Sequence, residues 1–198
     1  MPESIAAKAL GFAGLQALAA VVVTFLLVGK RHKLPVADKL VVLWLVYVAI
    51  VHSTLEAMFV YLSLTGTVNG SSGLFAEIWQ EYARADFRWG VSDSTIVTME
   101  MWTVLFNGPM CAVVTYAILT DKPYRHFAQI VLNVCEVYGG WITFGPEWIT
   151  GSKNLDTSSP LYMWVYLFFF NFIWVIFPAL LLLQSFLATA VPTKKHKN

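Results

Sequence analysis

The feature that most restricts what this chain can fold into is its series of long apolar runs, near 9–28, 40–64, 95–119, 127–144 and 161–187. A hydrocarbon core about 30 Å thick takes about 20 mostly apolar helical residues to cross, and these runs meet or approach that length. Lipid offers no partner to a backbone amide, so a chain there must pair its own, which selects helices. The strands of a membrane barrel would instead alternate in polarity over about 10 residues, whereas these runs are apolar on nearly all sides. Of 198 residues, 58% are hydrophobic and 13% charged, too little polar surface for a water-soluble domain of this size. The expectation is an all-α polytopic membrane protein, a five-helix transmembrane bundle forming a single domain over residues 1–198.

The breaks between runs set the topology. The first run, preceded by Glu3 and Lys8 without a small-residue cleavage site, reads as a retained anchor. It stops at Lys30, Arg31, His32 and Lys33, and the second ends in the Gly- and Ser-rich stretch 66–73. A polar connection follows, with Trp79, Glu81, Tyr82, Arg84, Asp86, Arg88, Trp89 and Asp93, a mixture suited to the membrane interface. A turn at 121–125 separates the third run from the fourth, and Gly145-Pro146 ends the fourth. Five crossings put the segment 30–39, that turn and the tail on one side, with nine of the 13 basic residues. Positive loops stay in the cytosol, so the C-terminus is expected there, with Asn69-Gly70-Ser71 as a glycosylation sequon on the lumenal side. The Lys-rich tail suits retention in the endoplasmic reticulum. A net charge of +1 and the lack of a Gly-rich phosphate loop give no sign of nucleic-acid or nucleotide binding. Cys111 and Cys135 fall inside apolar runs and read as core thiols.

Four side chains do not belong in such runs: His52, Glu56, Glu100 and Glu136. An ionisable group at mid-bilayer costs about 2.5 to 3.5 kcal/mol on insertion scales, so each needs a reason. His52 and Glu56 are four apart and share a helix face, as do Glu100 with Thr103 and Asn171 with Trp174, three apart. At 1.5 Å per residue His52 lies about 18 Å beyond Leu40 and Asn171 about 15 Å beyond Leu161, so both reach mid-membrane from opposite sides. Polar residues also glue helices together, but Asn or Ser would do so at lower desolvation cost. Two carboxyls and an imidazole at one depth therefore point to a functional cavity. Glu136 either holds its proton or pairs with Asn133. A carboxyl away from water disfavours its charged form and becomes a proton donor, a nearby His accepts or shuttles the proton, and the face of Trp174 steadies a cation without trapping it. An acid, a base and an aromatic wall in an oily pocket suit protonation of an alkene followed by proton loss at a neighbouring carbon. That chemistry needs no cofactor, and neither a Ser-His-Asp arrangement nor a metal-ligand motif is visible.

Several motifs carry a family resemblance: His52-x-x-x-Glu56; Trp79-x-Glu81-Tyr82-Ala83-x-x-Asp86-x-Arg88; Asp93 with Met99-Glu100-x-x-Thr103 and Gly108-Pro109; Val137-Tyr138-Gly139; and Pro160-Leu161-Tyr162-x-Trp164 with Asn171-x-x-Trp174 and Pro178. In this order, over about 44–180 within an expected core of about 40–187, they resemble the emopamil-binding protein or sterol Δ8-Δ7 isomerase family of the EXPERA group. The resemblance implies an endoplasmic reticulum enzyme, often a homodimer, that moves the Δ8 double bond of a 3β-hydroxysterol to Δ7. It implies His52, Glu56 and Glu100 as the acid/base groups, with Thr103, Asn171, Trp174, Tyr138 and Asp93 on the substrate side. It also implies that the pocket takes cationic amines, which mimic the carbocation. The chain departs from the pattern at Gly140, where the family tends to carry Asp, at Glu136, where an uncharged polar residue is expected, and in a shorter N-terminal part. These differences allow another steroid or terpenoid skeleton as substrate. A non-catalytic sterol-binding protein and a proton-coupled transporter are the competing classes.

Overall fold

The computed structural model describes residues 2–29 and 33–190. Lys30, Arg31 and His32 and the expected basic tail at 194–198 lie outside the described residues. The described chain is helical throughout, without a strand: α1 (Pro2–Val28), α2 (Val36–Val51), α3 (Ala57–Thr65), α4 (Leu74–Tyr82), α5 (Phe87–Gly90), α6 (Ser94–Trp102), α7 (Gly108–Leu119), α8 (Arg125–Thr150) and α9 (Phe170–Ala190). Three π-helical stretches, His52–Glu56, Thr103–Asn107 and Leu161–Phe169, splice α2 to α3, splice α6 to α7, and lead into α9. Four continuous helices are therefore long and apolar enough to cross a membrane: Ile5–Val28, Val36–Thr65, Ser94–Leu119 and Leu161–Ala190.

The fifth expected span, α8, differs in kind. It has length, 26 residues or about 39 Å, but not the composition. Its polar side chains Gln129, Asn133, Glu136, Thr143 and Glu147 are buried, while Phe127, Tyr138, Trp141 and Trp148 are exposed. The helix is thus amphipathic with its polar stripe turned inward, the reverse of a helix on a water-soluble protein. Nor does it stop at Gly145-Pro146, as the sequence suggested. It runs on to Gly151, whose left-handed backbone (φ 82°) ends it in a conformation glycine adopts without strain.

Ion pairs mark the two ends of the bundle. At one, Arg125 at the start of α8 donates both terminal nitrogens to Asp38 in the first turn of α2, at 3.0 and 2.5 Å. At the other, Lys8 of α1 reaches Glu77 of α4 at 3.0 Å, and Arg88 is buried among Asp86, Glu147 and the Thr143 carbonyl. Arg88 forks onto Asp86 at 2.9 and 2.6 Å, the geometry a planar guanidinium favours. Glu147 in turn accepts from the backbone and side-chain amides of Asn154 at 3.1 and 2.7 Å. α8 therefore extends from the Asp38 end to the Arg88 end, alongside the four apolar helices.

The connection at 74–93 does more than lie in an interface. Trp79 and Trp89 stack at 4.7 Å and 4° and turn inward onto Phe59, and Trp79 Nε1 donates to the Leu55 carbonyl at 2.9 Å. Cys111 sits in the core with α2 and α7, whereas Cys135 is half-buried on α8. Asp93 caps α6 by accepting from the amides of Thr95 and Ile96.

The Arg88 cluster yields a test. Arg88→Ala strands Asp86 and Glu147 in the interior, and removing one partner of a buried charge set costs roughly 3–5 kcal/mol. The midpoint of thermal unfolding in detergent should fall markedly; an unchanged midpoint would show that the network holds nothing together.

Candidate active site

The site is built around the π-helical turn His52–Glu56. A π turn widens the helix by one residue and re-aims the side chains on it, and such turns concentrate at functional sites. Ser53 and Thr54 steady this one by donating to the carbonyls of Ala49 and Ile50, each at 2.6 Å. His52 and Glu56, at its two ends, both point inward. The His52 Nδ1 bonds to Glu56 Oε2, and its Nε2 lies 3.0 Å from Glu136 Oε1 on α8. Glu100 on α6 interacts with Glu56, His52 and Glu136, and is in hydrogen-bonding relation to Glu56. All four groups are between 1% and 7% exposed. Three helices converge here, and the expected pairing of Glu136 with Asn133 is replaced: Asn133 donates to the Gln129 carbonyl, while Glu136 goes to His52.

Hydrogen counting fixes what the cluster can carry. Each contact, Glu136 to His52, His52 to Glu56 and Glu56 to Glu100, needs one hydrogen between its two heavy atoms. Three hydrogens on three carboxylates and one imidazole leave a net charge of −1. Glu100 Oε2 finds no hydrogen-bond partner among the described residues, so one acceptor stays open. A proton can therefore enter the cluster at that oxygen and leave again with all three internal contacts retained, and the group as a whole is complementary to a cation.

Beside the cluster lies a cavity of about 140 Å³ whose walls include Glu56, Trp174, Asn171, Tyr82, Trp89 and Tyr47. Trp174 stacks on the His52 ring at 5.3 Å and 21°. Asn171 sits just past the π-to-α junction, where carbonyls lose their regular partners. Its amide takes up those of Tyr166 and Leu167 at 3.0 and 2.9 Å and reaches the Tyr82 hydroxyl at 3.0 Å. Trp89 Nε1 has no acceptor among the described residues, which leaves an N–H donor in the cavity wall.

The other expected residues lie elsewhere. Thr103 donates to the Met99 carbonyl at 3.0 Å at the start of its π turn, and with Tyr138 it borders a second cavity of about 780 Å³ between α6 and α8. Tyr138 is 62% exposed, and Asp93 borders neither cavity. Sequence reasoning did not single out Tyr82, Tyr47 or Trp89 as cavity residues. Tyr82 and Trp89 stood in a motif read as interfacial, and nothing in spacing alone says that this connection folds back under the bundle.

A model of the EXPERA family, the expanded EBP superfamily, matches residues 74–185. The chain belongs to the EXPERA family. Among curated members, it is 31% identical to the 3-beta-hydroxysteroid-Δ8,Δ7-isomerase of Cavia porcellus over 169 residues, which is 84% of this chain and 73% of that one. It is 33% identical to the probable 3-beta-hydroxysteroid-Δ8,Δ7-isomerase of Arabidopsis thaliana, over 77% of this chain and 66% of the relative. It is also 26% identical to the isomeliandiol synthase of Melia azedarach, over 86% and 79%. The EXPERA match begins at α4, after His52 and Glu56, but an alignment covering 84% of this chain has to include both. At Gly140, α8 passes so near α9 that an added Cβ would lie 2.9 Å from Val175.

Asn171 and Tyr82 offer a contrast to measure. Asn171→Leu leaves two junction carbonyls with a buried deficit and should lower stability by about 1–3 kcal/mol. Tyr82→Phe removes only a hydroxyl that accepts from Asn171, and should cost at most about 1 kcal/mol. Equal losses in thermal unfolding would contradict the junction role given to Asn171.

Proposed function

We propose that this protein is a membrane-embedded isomerase that moves a ring double bond of a 3β-hydroxysteroid from Δ8 to Δ7. The observation that carries the reading is the joining of His52, Glu56 and Glu100, from two separate spans, in one cluster whose Glu56 lines an apolar cavity that also presents Trp174. Five relatives, 28% to 33% identical, are named as this isomerase or as a probable one. In the reaction, the His52–Glu56 pair delivers a proton to C9. The C8=C9 π electrons form the new C–H bond and leave a tertiary cation at C8. Glu100 then takes a proton from C7, and the C7–H electrons become the C7=C8 bond. One proton enters and one leaves, so the cluster returns to its starting charge without any cofactor. While the cation lasts, the cluster, one unit more negative for the proton it has given up, and the indole of Trp174 stabilise it, and the Trp89 N–H is available to the substrate's hydroxyl.

The inner cavity is smaller than the roughly 300–1,000 Å³ of sites that hold a drug-sized ligand. It shares Ala13, Tyr47, Phe170 and Ile173 with an apolar groove of about 690 Å³ among α1, α2 and α9. In this reading the reacting ring reaches the cluster while the rest of the skeleton lies in the groove, so substrate arrives from the lipid. α8 serves as the fifth span, supported by its length, its end-to-end course and its outward aromatic face. The protein then has its C-terminus in the cytosol and resides, as a homodimer, in the endoplasmic reticulum membrane.

A second substrate class has one specific support. Relatives named isomeliandiol synthase and protoglabretal synthase cover as much of this chain as the sterol isomerases do, and a related triterpenoid skeleton would use the same proton chemistry.

The test is expression in cells that lack their own Δ8-Δ7 isomerase, followed by sterol profiling. The wild-type protein should convert Δ8 to Δ7 sterols and introduce deuterium at carbon in deuterated water, and Glu100→Gln should lose activity by at least about 10²-fold. Persistent Δ8 sterols in the presence of folded wild-type protein would rule out that substrate.

A further inference from the structure

The mechanism above uses one side of His52. The other side is occupied by Glu136. Glu136 is buried on α8, its Oε1 3.0 Å from His52 Nε2, while Nδ1 of the same ring is bonded to Glu56. A neutral imidazole carries one N–H and one lone pair, so it can donate to one of two flanking carboxylates but presents a lone pair to the other. Facing two carboxylates in a buried site, the arrangement is satisfied at both nitrogens when the ring carries a hydrogen on each.

We propose that Glu136 is a positioning residue of the isomerase, holding the second ring hydrogen of His52 and so keeping the imidazole a clamped cation between two carboxylates. The inference rests on the isomerase reading for its catalytic consequence, though not for its geometry. Glu136 does not border the inner cavity; it borders the second one, with Thr103 and Asn107. It therefore acts on substrate only through His52 and the Glu56 bonded to it. The titratable groups that interact with it are His52 from the second span and Glu100 and Cys111 from the third, and Glu56 is bonded to the other side of the same ring, so its charge is felt directly by His52 and Glu100. Without that charge the ring keeps one hydrogen, which it shares with Glu56, and it loses the anchor that fixes its orientation against Trp174.

A role as mere glue between α8 and α2 would need only a hydrogen bond, which a glutamine in place of Glu136 supplies equally well. The two roles separate in ¹⁵N spectra of the protein in lipid nanodiscs, with His32, His126 and His196 replaced by glutamine so that His52 alone reports. Both ring nitrogens should be protonated in the otherwise wild-type protein and in Glu136→Asp, and only one in Glu136→Gln. In turnover, Glu136→Gln should lower kcat by roughly 10²-fold with little change in KM, and Glu136→Asp should recover much of it. A single protonated nitrogen in the protein with Glu136 intact overturns the proposal even if no variant folds. So does Glu136→Gln with both nitrogens protonated or with full kcat. Absence of turnover by the wild-type protein on Δ8 steroids would instead defeat the isomerase reading, and the nitrogen spectra would still decide the clamp.

Discussion

The arrangement depends on one imidazole held between carboxyl groups in the interior of the bundle. In a medium of low dielectric, an unpaired polar or charged group is far more costly than the same group in solvent, and a satisfied set is correspondingly rigid. His52 supplies both of its nitrogens to that set, one to its own helix and one to α8. The second span, the third span and α8 are therefore required to meet at one depth. The cavity beside the cluster is a consequence of that meeting, because its polar wall is formed by groups already committed to one another.

Polarity elsewhere in the bundle follows the same rule. α8 keeps its amides and carboxyls inward and its aromatic residues outward, and each buried polar residue on it has an identified partner. Gln129 bonds to Ser185 and Gln184 of α9, Glu136 to His52, and Glu147 to Asn154 and Arg88. Helices in lipid lack the hydrophobic drive that assembles soluble bundles, so such contacts and close backbone approach take its place. Gly140 against Val175 is the point of closest approach between α8 and α9 among the glycine contacts.

The π-helical stretches tie local backbone to function. One carries His52 and Glu56, a second begins at Thr103, and the third ends just before Asn171. Near each, side chains donate to carbonyls of their own helix, among them Thr54, Thr103 and Asn171. Residues that spacing alone would place on a binding face thus spend part of their hydrogen bonding on the backbone. Thr103 and Asn171 do this in different places, one bordering the outer cavity and the other the inner.

Helical class, four of the spans and the identity of the buried ionisable groups were legible in the residues themselves. Each rests on a local rule: an apolar run long enough for lipid, or an ionisable group too costly to bury without cause. The partner of each group was not legible, because a hydrogen bond between residues 84 apart depends on how the helices rotate about their axes, and periodicity is silent on that. The same reason explains why Glu136 read as a candidate for Asn133, why the 74–93 connection read as interfacial, and why Asp93 read as a substrate residue rather than a helix cap. Sequence by itself determined what had to be buried and in what solvent. Tertiary structure decided who meets whom there, since only the packed bundle sets the few ångströms that make a hydrogen bond.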